Sequence, residues 1–249
     1  MAVGRDPARA EATLAKLRKA NPNAQHAAPL ADLSRLSEMK RVAEEIAGIA
    51  PEIDVLVNNA GALFNRREVT EDGLEKTFAL NHMSYFVLSN LLLPRVKRGG
   101  RIVSTASDAH RGARLDFDDL QSEKRYSGFS VYGKSKLCNI LFTRELARRS
   151  AGAGVTATCL HPGFVATRFG DQSGGLVSIA VKIVKPVGAI SPERGAKTIV
   201  YLASSAEVEG ESGGYYYECR LATPTAEAQN DADAKRLWEI SAGISGVGA

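Results

Sequence analysis

The chain has 249 residues, of which 44% are apolar and 24% charged, which fits one α/β domain spanning residues 1–249 with a substantial core. The net charge is +4, but Lys and Arg are scattered among Asp and Glu, which argues against a nucleic-acid partner. Three cysteines show neither pairing nor metal-ligand spacing, and the histidines are isolated, so the sequence predicts no metal site and favours the reducing cytoplasm. Lys182 and Lys185 interrupt the longest apolar stretch after Gly175, so no transmembrane segment is predicted.

In chain order, the first predicted element is a helix that begins at Pro7, a residue suited to a first helical position. Three apolar runs then predict buried parallel strands, because helical patterns separate them and each ends in small or polar residues. They are residues 53–57, ending in Asn58-Asn59-Ala60-Gly61; residues 101–105, which follow Gly99-Gly100 and lead to Ser107; and residues 155–160, ending in His161-Pro162-Gly163. This alternation predicts an open α/β sheet with ligands at the carboxyl ends of its strands.

The pentapeptide Tyr132-Gly133-Lys134-Ser135-Lys136 is the main chemical signal. Within a helix, Tyr132 and Lys136 share one face about one turn apart. A lysine ammonium beside a phenol favours the phenolate and is expected to lower the pKa of Tyr132 from about 10. This pair therefore indicates proton exchange with a carbonyl or alcohol oxygen, although the same spacing is also common on solvated helix faces.

Five motifs follow one another in a fixed order: Asn58 to Gly61, Asn81 within residues 78–82, Ser107 within residues 101–110, Tyr132 to Lys136, and His161-Pro162-Gly163. With these motifs the chain resembles the short-chain dehydrogenase/reductase family, and within it the retinol-dehydrogenase-like group. Residues 116–120 and 135–139 also resemble that group, and the resemblance extends from Gly4 to about Trp238. It implies an α/β fold with a Rossmann-like, doubly wound parallel sheet.

The resemblance also implies a role for each matched residue. Tyr132 would be the general acid in carbonyl reduction and the base in alcohol oxidation, with Lys136 lowering its pKa and binding the nicotinamide ribose. Ser107 would orient the substrate oxygen, and Asn81 would hold a water that links Lys136 to solvent. The implied cofactor contacts are Arg5, Asp32, Leu33, Asn59, Ala60, Gly61, Tyr132, Lys136, Pro162, Gly163, Val165 and Thr167.

The cofactor implied by Arg5 is NADP(H). Arg5 stands where the family contacts the adenosine ribose, and Gly4 replaces the acidic residue that would hold a free 2′-hydroxyl. A guanidinium at this place favours a 2′-phosphate.

The N-terminus departs from the family pattern. Family members begin with a strand, a glycine-rich turn and a helix whose N-terminus receives the pyrophosphate, whereas this chain opens on what resembles the tail of the second strand. We therefore expect an N-terminally truncated domain that folds poorly or binds NADP(H) weakly.

The substrate is expected to be a small lipophilic carbonyl or alcohol, because residues 169–190, the region of the family's mobile lid, are rich in Gly, Val and Ile. An apolar helix that packs on the sheet would have the same composition, and a homo-oligomer is compatible with the sequence. Two alternatives stay open: a catalytically impaired remnant or interaction protein with this fold, and a nucleotide-sugar epimerase or dehydratase.

Overall fold

The computed structural model describes residues 1–163 and 190–248. Its α-helices are α1 (Pro7–Ala20), α2 (Leu36–Ile49), α3 (Lys76–Phe78), α4 (Ser84–Leu92), α5 (Gly128–Ser150), α6 (Pro192–Ser204) and α7 (Asp231–Ser245). A π-helical turn, Ala79–Met83, joins α3 to α4, and a short 3₁₀ helix, Asp108–His110, precedes α5. The strands are β1 (Ile53–Asn58), β2 (Val96–Thr105), β3 (Thr156–Leu160), β4 (Tyr215–Tyr217) and β5 (Arg220–Ala222).

The five strands form one sheet in the order β1-β2-β3-β4-β5. The pairs from β1 to β4 are parallel, and β5 is antiparallel to β4. Parallel neighbours require crossover connections, and these are supplied by the helices between the strands. The mostly parallel α/β sheet that the sequence predicts is therefore confirmed.

Both faces of the sheet are covered, as adjacent residues of β2 demonstrate. Ile102 and Val103 point to opposite faces, and both side chains are fully buried. Ile102 belongs to the main core with α4, α5 and α7, whereas Val103 packs with Leu202 of α6 and Val208. This two-sided burial makes the sheet doubly wound, and it explains why apolar residues such as Ile102 and Val103 stand side by side in the strand sequence.

The predicted strand bounds differ by one residue at the end of β1 and at the start of β3, and the main correction is at the start of β2. The sequence predicts a strand from Arg101 that follows Gly99-Gly100, but β2 begins at Val96 and contains both glycines. Gly99 has a φ of +78°, and the β1–β2 register is irregular between Ile53 and Val55. A bulged strand tolerates glycines that would normally mark a loop, so the turn signal was misleading there.

The N-terminal residues form a parallel bridge between Gly4 and Leu30 in place of a longer strand. Helix α1 begins at Pro7 as predicted, and the Asp6 carboxylate accepts a hydrogen bond of 2.8 Å from the Arg9 N–H. Within the described ranges, no strand pairs with the outer edge of β1. Val3 instead packs against the same apolar cluster as Ile53 and Leu56, between α2 and α4.

Candidate active site

The predicted catalytic side chains come from the end of β2, from the π-helical turn and from α5. Ser107 follows β2 and is half-buried, whereas Asn81, Tyr132 and Lys136 are buried. These segments meet at the carboxyl edge of the sheet, where ligands of open α/β sheets bind.

Ser107 is held by the backbone segment that it starts. Its φ and ψ are extended, and its Oγ accepts a hydrogen bond of 3.2 Å from the Ala109 N–H, which caps the 3₁₀ helix. The Ser107 side chain also lies close enough to the Tyr132 phenol to lower its pKa. One hydroxyl therefore links the end of β2 to α5, as an oxygen-orienting group requires.

Glycine lets α5 approach this segment closely. A Cβ at Gly133 would lie 2.6 Å from the Ala109 carbonyl oxygen, well inside van der Waals contact. The second residue of the pentapeptide is therefore small for a physical reason: any side chain there would separate Tyr132 from Ser107.

The expected lowering of the Tyr132 pKa is wrong for this structure. Burial raises the pKa of the phenol to about 12, and the hydrogen bond to Ser107 opposes this rise only in part. Burial likewise lowers the pKa of the Lys136 ammonium to about 7. The Lys136 Nζ lies 5.5 Å from the centre of the Tyr132 ring, and desolvation of both groups outweighs the attraction between them.

Lys136 is held by a main-chain oxygen. Its Nζ donates to the Thr105 carbonyl at 3.0 Å, and the Asn139 Nδ2 donates to the same oxygen at 3.2 Å. Both side chains lie on the buried face of α5, three residues apart. Sequence reasoning did not assign a site role to Asn139. Polar residues that continue the Tyr132 and Lys136 face of one helix are the signal that would have found it.

The Asn81 side chain links the loop after β1 to α5 through hydrogen bonds. Its Oδ1 accepts from the Ala62 N–H at 2.8 Å, and its Nδ2 donates to the Ala62 carbonyl and to the Ser135 Oγ, each at 2.9 Å. Ser135, also not predicted, donates to the Tyr132 carbonyl at 2.7 Å. The Asn81 side chain is thus committed to protein contacts, and its predicted water-holding role stays a prediction.

The loop after β1 offers room beside Lys136. Asn59 and Gly61 are exposed and Ala60 is partly exposed, while the Asn59 Oδ1 accepts a 3.0 Å hydrogen bond from the Thr105 Oγ1. A Cβ at Gly61 would lie 3.3 Å from the Lys136 Nζ and 3.2 Å from the Asn81 Oδ1. A ligand hydroxyl can therefore approach Lys136 where a side chain would intrude, which fits a ribose.

Arg5 and Asp32 lie near each other after the Gly4–Leu30 bridge. Hydrogen bonds from the Ser34 side chain and N–H, together with the charge of Arg5, lower the pKa of Asp32 more than its burial raises it. Arg5 is exposed, and within the described ranges its guanidinium makes no hydrogen bond or ion pair, so it is accessible to an anion. Leu33 is partly buried and packs against the core.

The loop after β3 is described only in its first residues. Pro162 and Gly163 are partly exposed, and Gly163 has a φ of +81°. A Cβ at Gly163 would lie 3.2 Å from the Ile190 side chain and 3.8 Å from Tyr217. Val165, Thr167 and nearly all of the predicted lid lie outside the described residues.

Within residues 1–163 and 190–248, no group of three or more His, Cys, Asp or Glu side chains is placed to hold a metal ion. No helix in these ranges is long and apolar enough to cross a membrane. Cys138, which faces the core beside the site, has a thiol pKa raised to about 12 by burial, so its thiol stays protonated at neutral pH.

The fold and the site together have the architecture of a Rossmann-like oxidoreductase. A family model described as short chain dehydrogenase matches residues 1–174. Retinol dehydrogenase 14 of Homo sapiens is 38% identical over 265 residues, covering 98% of this chain and 77% of that protein. Retinol dehydrogenase 12 of Mus musculus is 35% identical over 245 residues, with coverages of 98% and 77%. A crystal structure of an uncharacterized protein from Mycobacterium paratuberculosis has a TM-score of 0.74 and 29% identity, covering 98% of this chain and 83% of that chain.

The chain belongs to the short-chain dehydrogenase family, and it is a retinol-dehydrogenase-like oxidoreductase of that family. The resemblance stated from the five sequence motifs is confirmed.

Proposed function

We propose that the protein transfers a hydride between NADP(H) and a lipophilic carbonyl or alcohol, with Tyr132 as the general acid or base. The observation that carries this proposal is the arrangement of Tyr132, Ser107 and Lys136: Ser107 lowers the pKa of the Tyr132 phenol against the effect of burial, and the Lys136 Nζ lies 5.5 Å from the centre of the Tyr132 ring. When bound, the nicotinamide supplies the hydride in reduction and accepts it in oxidation.

Tyr132 and Ser107 act on the substrate oxygen. In reduction, Ser107 donates a hydrogen bond to the carbonyl oxygen, and Tyr132 gives that oxygen its phenolic proton as the carbonyl carbon gains the hydride. The raised pKa of Tyr132 keeps the phenol protonated at neutral pH, which supports the role of proton donor. Lys136 stabilises the tyrosinate left behind, and protons return through a water held at the Asn81 carbonyl.

The preference for NADP(H) rests on Arg5. Its exposed guanidinium is free of hydrogen bonds and ion pairs within the described ranges, and its charge acts on Asp32 at the same edge. A 2′-phosphate would give this guanidinium a bidentate anionic partner. Gly61, which leaves the space beside Lys136 open, suits the nicotinamide ribose.

The lipophilic substrate class has two supports. Retinol, which gives the relatives at 35–38% identity their names, is a lipophilic alcohol. Ile190 and Tyr217 also present apolar atoms beside Gly163, at the carboxyl edge of the sheet.

The test of the chemistry is NADPH oxidation with long-chain and polyene aldehydes, compared with glyceraldehyde as a small polar control. Tyr132→Phe should lower kcat by about 100-fold to 10,000-fold because it removes the transferable proton. Tyr201→Phe, on α6, is the matched control and should keep wild-type turnover. Turnover of Tyr132→Phe close to wild type would rule out Tyr132 as the proton donor, and preference for glyceraldehyde would reject the lipophilic class.

The cofactor preference is tested separately. Arg5→Ala should raise the KM for NADPH while leaving the KM for NADH nearly unchanged, because only NADPH carries the 2′-phosphate. A wild-type kcat/KM that is equal or higher with NADH would contradict the preference for NADP(H).

A further inference from the structure

His110 is buried directly behind Ser107. Its side chain is fully buried, and it closes the 3₁₀ helix that Ser107 caps. The Ser107 carbonyl oxygen lies 2.7 Å from the His110 Nδ1 and 3.1 Å from the His110 backbone nitrogen. Both lone pairs of this oxygen are thereby occupied by one residue, so His110 controls the orientation of the Ser107 peptide plane.

The second ring nitrogen defines the protonation state of His110. The backbone N–H of Thr225 points at the His110 Nε2 at an N···N distance of 3.4 Å. An N–H can only donate, so Nε2 must be the unprotonated acceptor. A carbonyl oxygen can only accept, so Nδ1 must carry the proton. Both contacts are therefore satisfied by a single form of the ring, the neutral Nδ1–H tautomer.

The surroundings of the ring keep that form. Tyr215 of β4 packs edge-to-face against His110, with ring centres 5.3 Å apart. The titratable and charged groups around it are Asp108, Arg111, His161 and Tyr215. Burial lowers the pKa of His110 more than the hydrogen bond to the Ser107 carbonyl and the charge of Asp108 raise it, and Arg111 acts in the same direction as burial, which favours the neutral ring.

We propose that His110 is a positioning residue that aims the Ser107 hydroxyl at the substrate oxygen by holding the Ser107 carbonyl through its Nδ1–H. The Ala109 N–H on the Ser107 Oγ completes the arrangement, because it leaves the hydroxyl proton free to point toward Tyr132 and the substrate. The catalytic consequence rests on the proposed function, in which Ser107 orients the reacting oxygen. The hydrogen bond between the His110 ring and the Ser107 carbonyl does not depend on the proposed function.

Two substitutions separate the contact with Ser107 from ring packing. In His110→Asn, the amide nitrogen occupies the position of Nδ1 and can still donate to the Ser107 carbonyl. In His110→Phe, the ring still packs on Tyr215, but both hydrogen bonds are lost. We expect His110→Phe to lower kcat by about 10-fold or more with little change in KM, and His110→Asn to stay within about 3-fold of wild type, since orientation of a reacting group affects the turnover step.

A double-mutant cycle decides whether the effect passes through Ser107. In a Ser107→Ala background, which has no hydroxyl to aim, His110→Phe should change kcat by less than about 2-fold. An equal fold-loss in both backgrounds, or a loss in His110→Asn that matches His110→Phe, would overturn the proposal and leave His110 a packing residue.

Measurements that do not depend on turnover distinguish a failure of the His110 proposal from a failure of the proposed function. Nitrogen-15 spectra at pH 7 should show His110 with a protonated Nδ1 and an unprotonated Nε2, and amide exchange at Ala109 should accelerate in His110→Phe but not in His110→Asn. The opposite tautomer, a cation, or unchanged exchange at Ala109 would refute the positioning role. Loss of Tyr132-dependent turnover with these signatures intact would refute the proposed function alone.

Discussion

Replacing Gly133 by Ala tests how closely α5 approaches the segment that carries Ser107. The new Cβ would lie 2.6 Å from the Ala109 carbonyl oxygen, and this oxygen belongs to the backbone, so it cannot rotate away. Reaching ordinary contact, at 3.4 Å or more, requires the helix and the 3₁₀ segment to separate by about 0.8 Å. A shift of this size displaces Ser107 from Tyr132, and misplacement of reacting groups by about 1 Å can cost about 100-fold in rate.

Two opposing terms determine the stability change of Gly133→Ala. Overpacking in a well-packed site costs about 1–3 kcal/mol. Alanine in a helix interior gains about 1 kcal/mol over glycine. The expected net loss of unfolding free energy is therefore about 0–2 kcal/mol, which lowers Tm by up to roughly 8 °C in a chain of this size.

Gly243→Ala is the matched control, because Gly243 lies in α7 and a Cβ there meets nothing within 4 Å. This variant should be unchanged or more stable by up to about 1 kcal/mol. Urea unfolding measures both changes, and NADPH-dependent turnover measures the displacement of Ser107. If Gly133→Ala were as stable and as active as Gly243→Ala, the close approach would have no consequence and the argument would fail.

Two further predictions concern buried polar groups. Burial lowers the pKa of Lys136 from its ordinary value of 10.5 to about 7 in the folded chain, so between these pH values the unfolded chain binds one more proton than the folded chain. The contribution of Lys136 to the free energy of unfolding therefore rises with pH, by up to about 1.4 kcal/mol per pH unit. Urea titrations should show this rise as a wild-type-minus-variant difference for Lys136→Met; a flat difference from pH 7 to 10 would contradict the shift. Asn81→Ala removes the contacts to Ala62 and Ser135 and should cost about 2–4 kcal/mol. Asn90→Ala, which loses one partly buried hydrogen bond on α4, should cost about 1 kcal/mol or less. If Asn81→Ala and Asn90→Ala lost equal free energy of unfolding, the Asn81 contacts to Ala62 and Ser135 would not have the predicted stabilising effect.

The sequence predicted most of the sheet because buried parallel strands have a strong local signal. Residues 53–57 are apolar except for Asp54, and the structure packs Ile53 and Leu56 against one core cluster and Val55 against another. The start of β2 was missed since Gly99 and Gly100 resemble a turn, whereas ladder hydrogen bonds across a bulge keep them in the strand. Cross-strand pairing is a non-local property, and no window of the sequence contains it.

The identity and order of the chemical groups follow from the sequence alone: a Tyr and a Lys on one helix face, a Ser after a strand, and an Arg near the N-terminus. The pKa values of these groups depend on the tertiary structure. Burial raises the pKa of Tyr132, opposite to the expectation from its spacing to Lys136, and it lowers the pKa of Lys136, because desolvation depends on everything packed around a group. The structure also revealed the two contacts of the His110 ring, whose partners, Ser107 and Thr225, lie 3 and 115 residues away along the chain. A contact across such a separation exists only after the chain has folded.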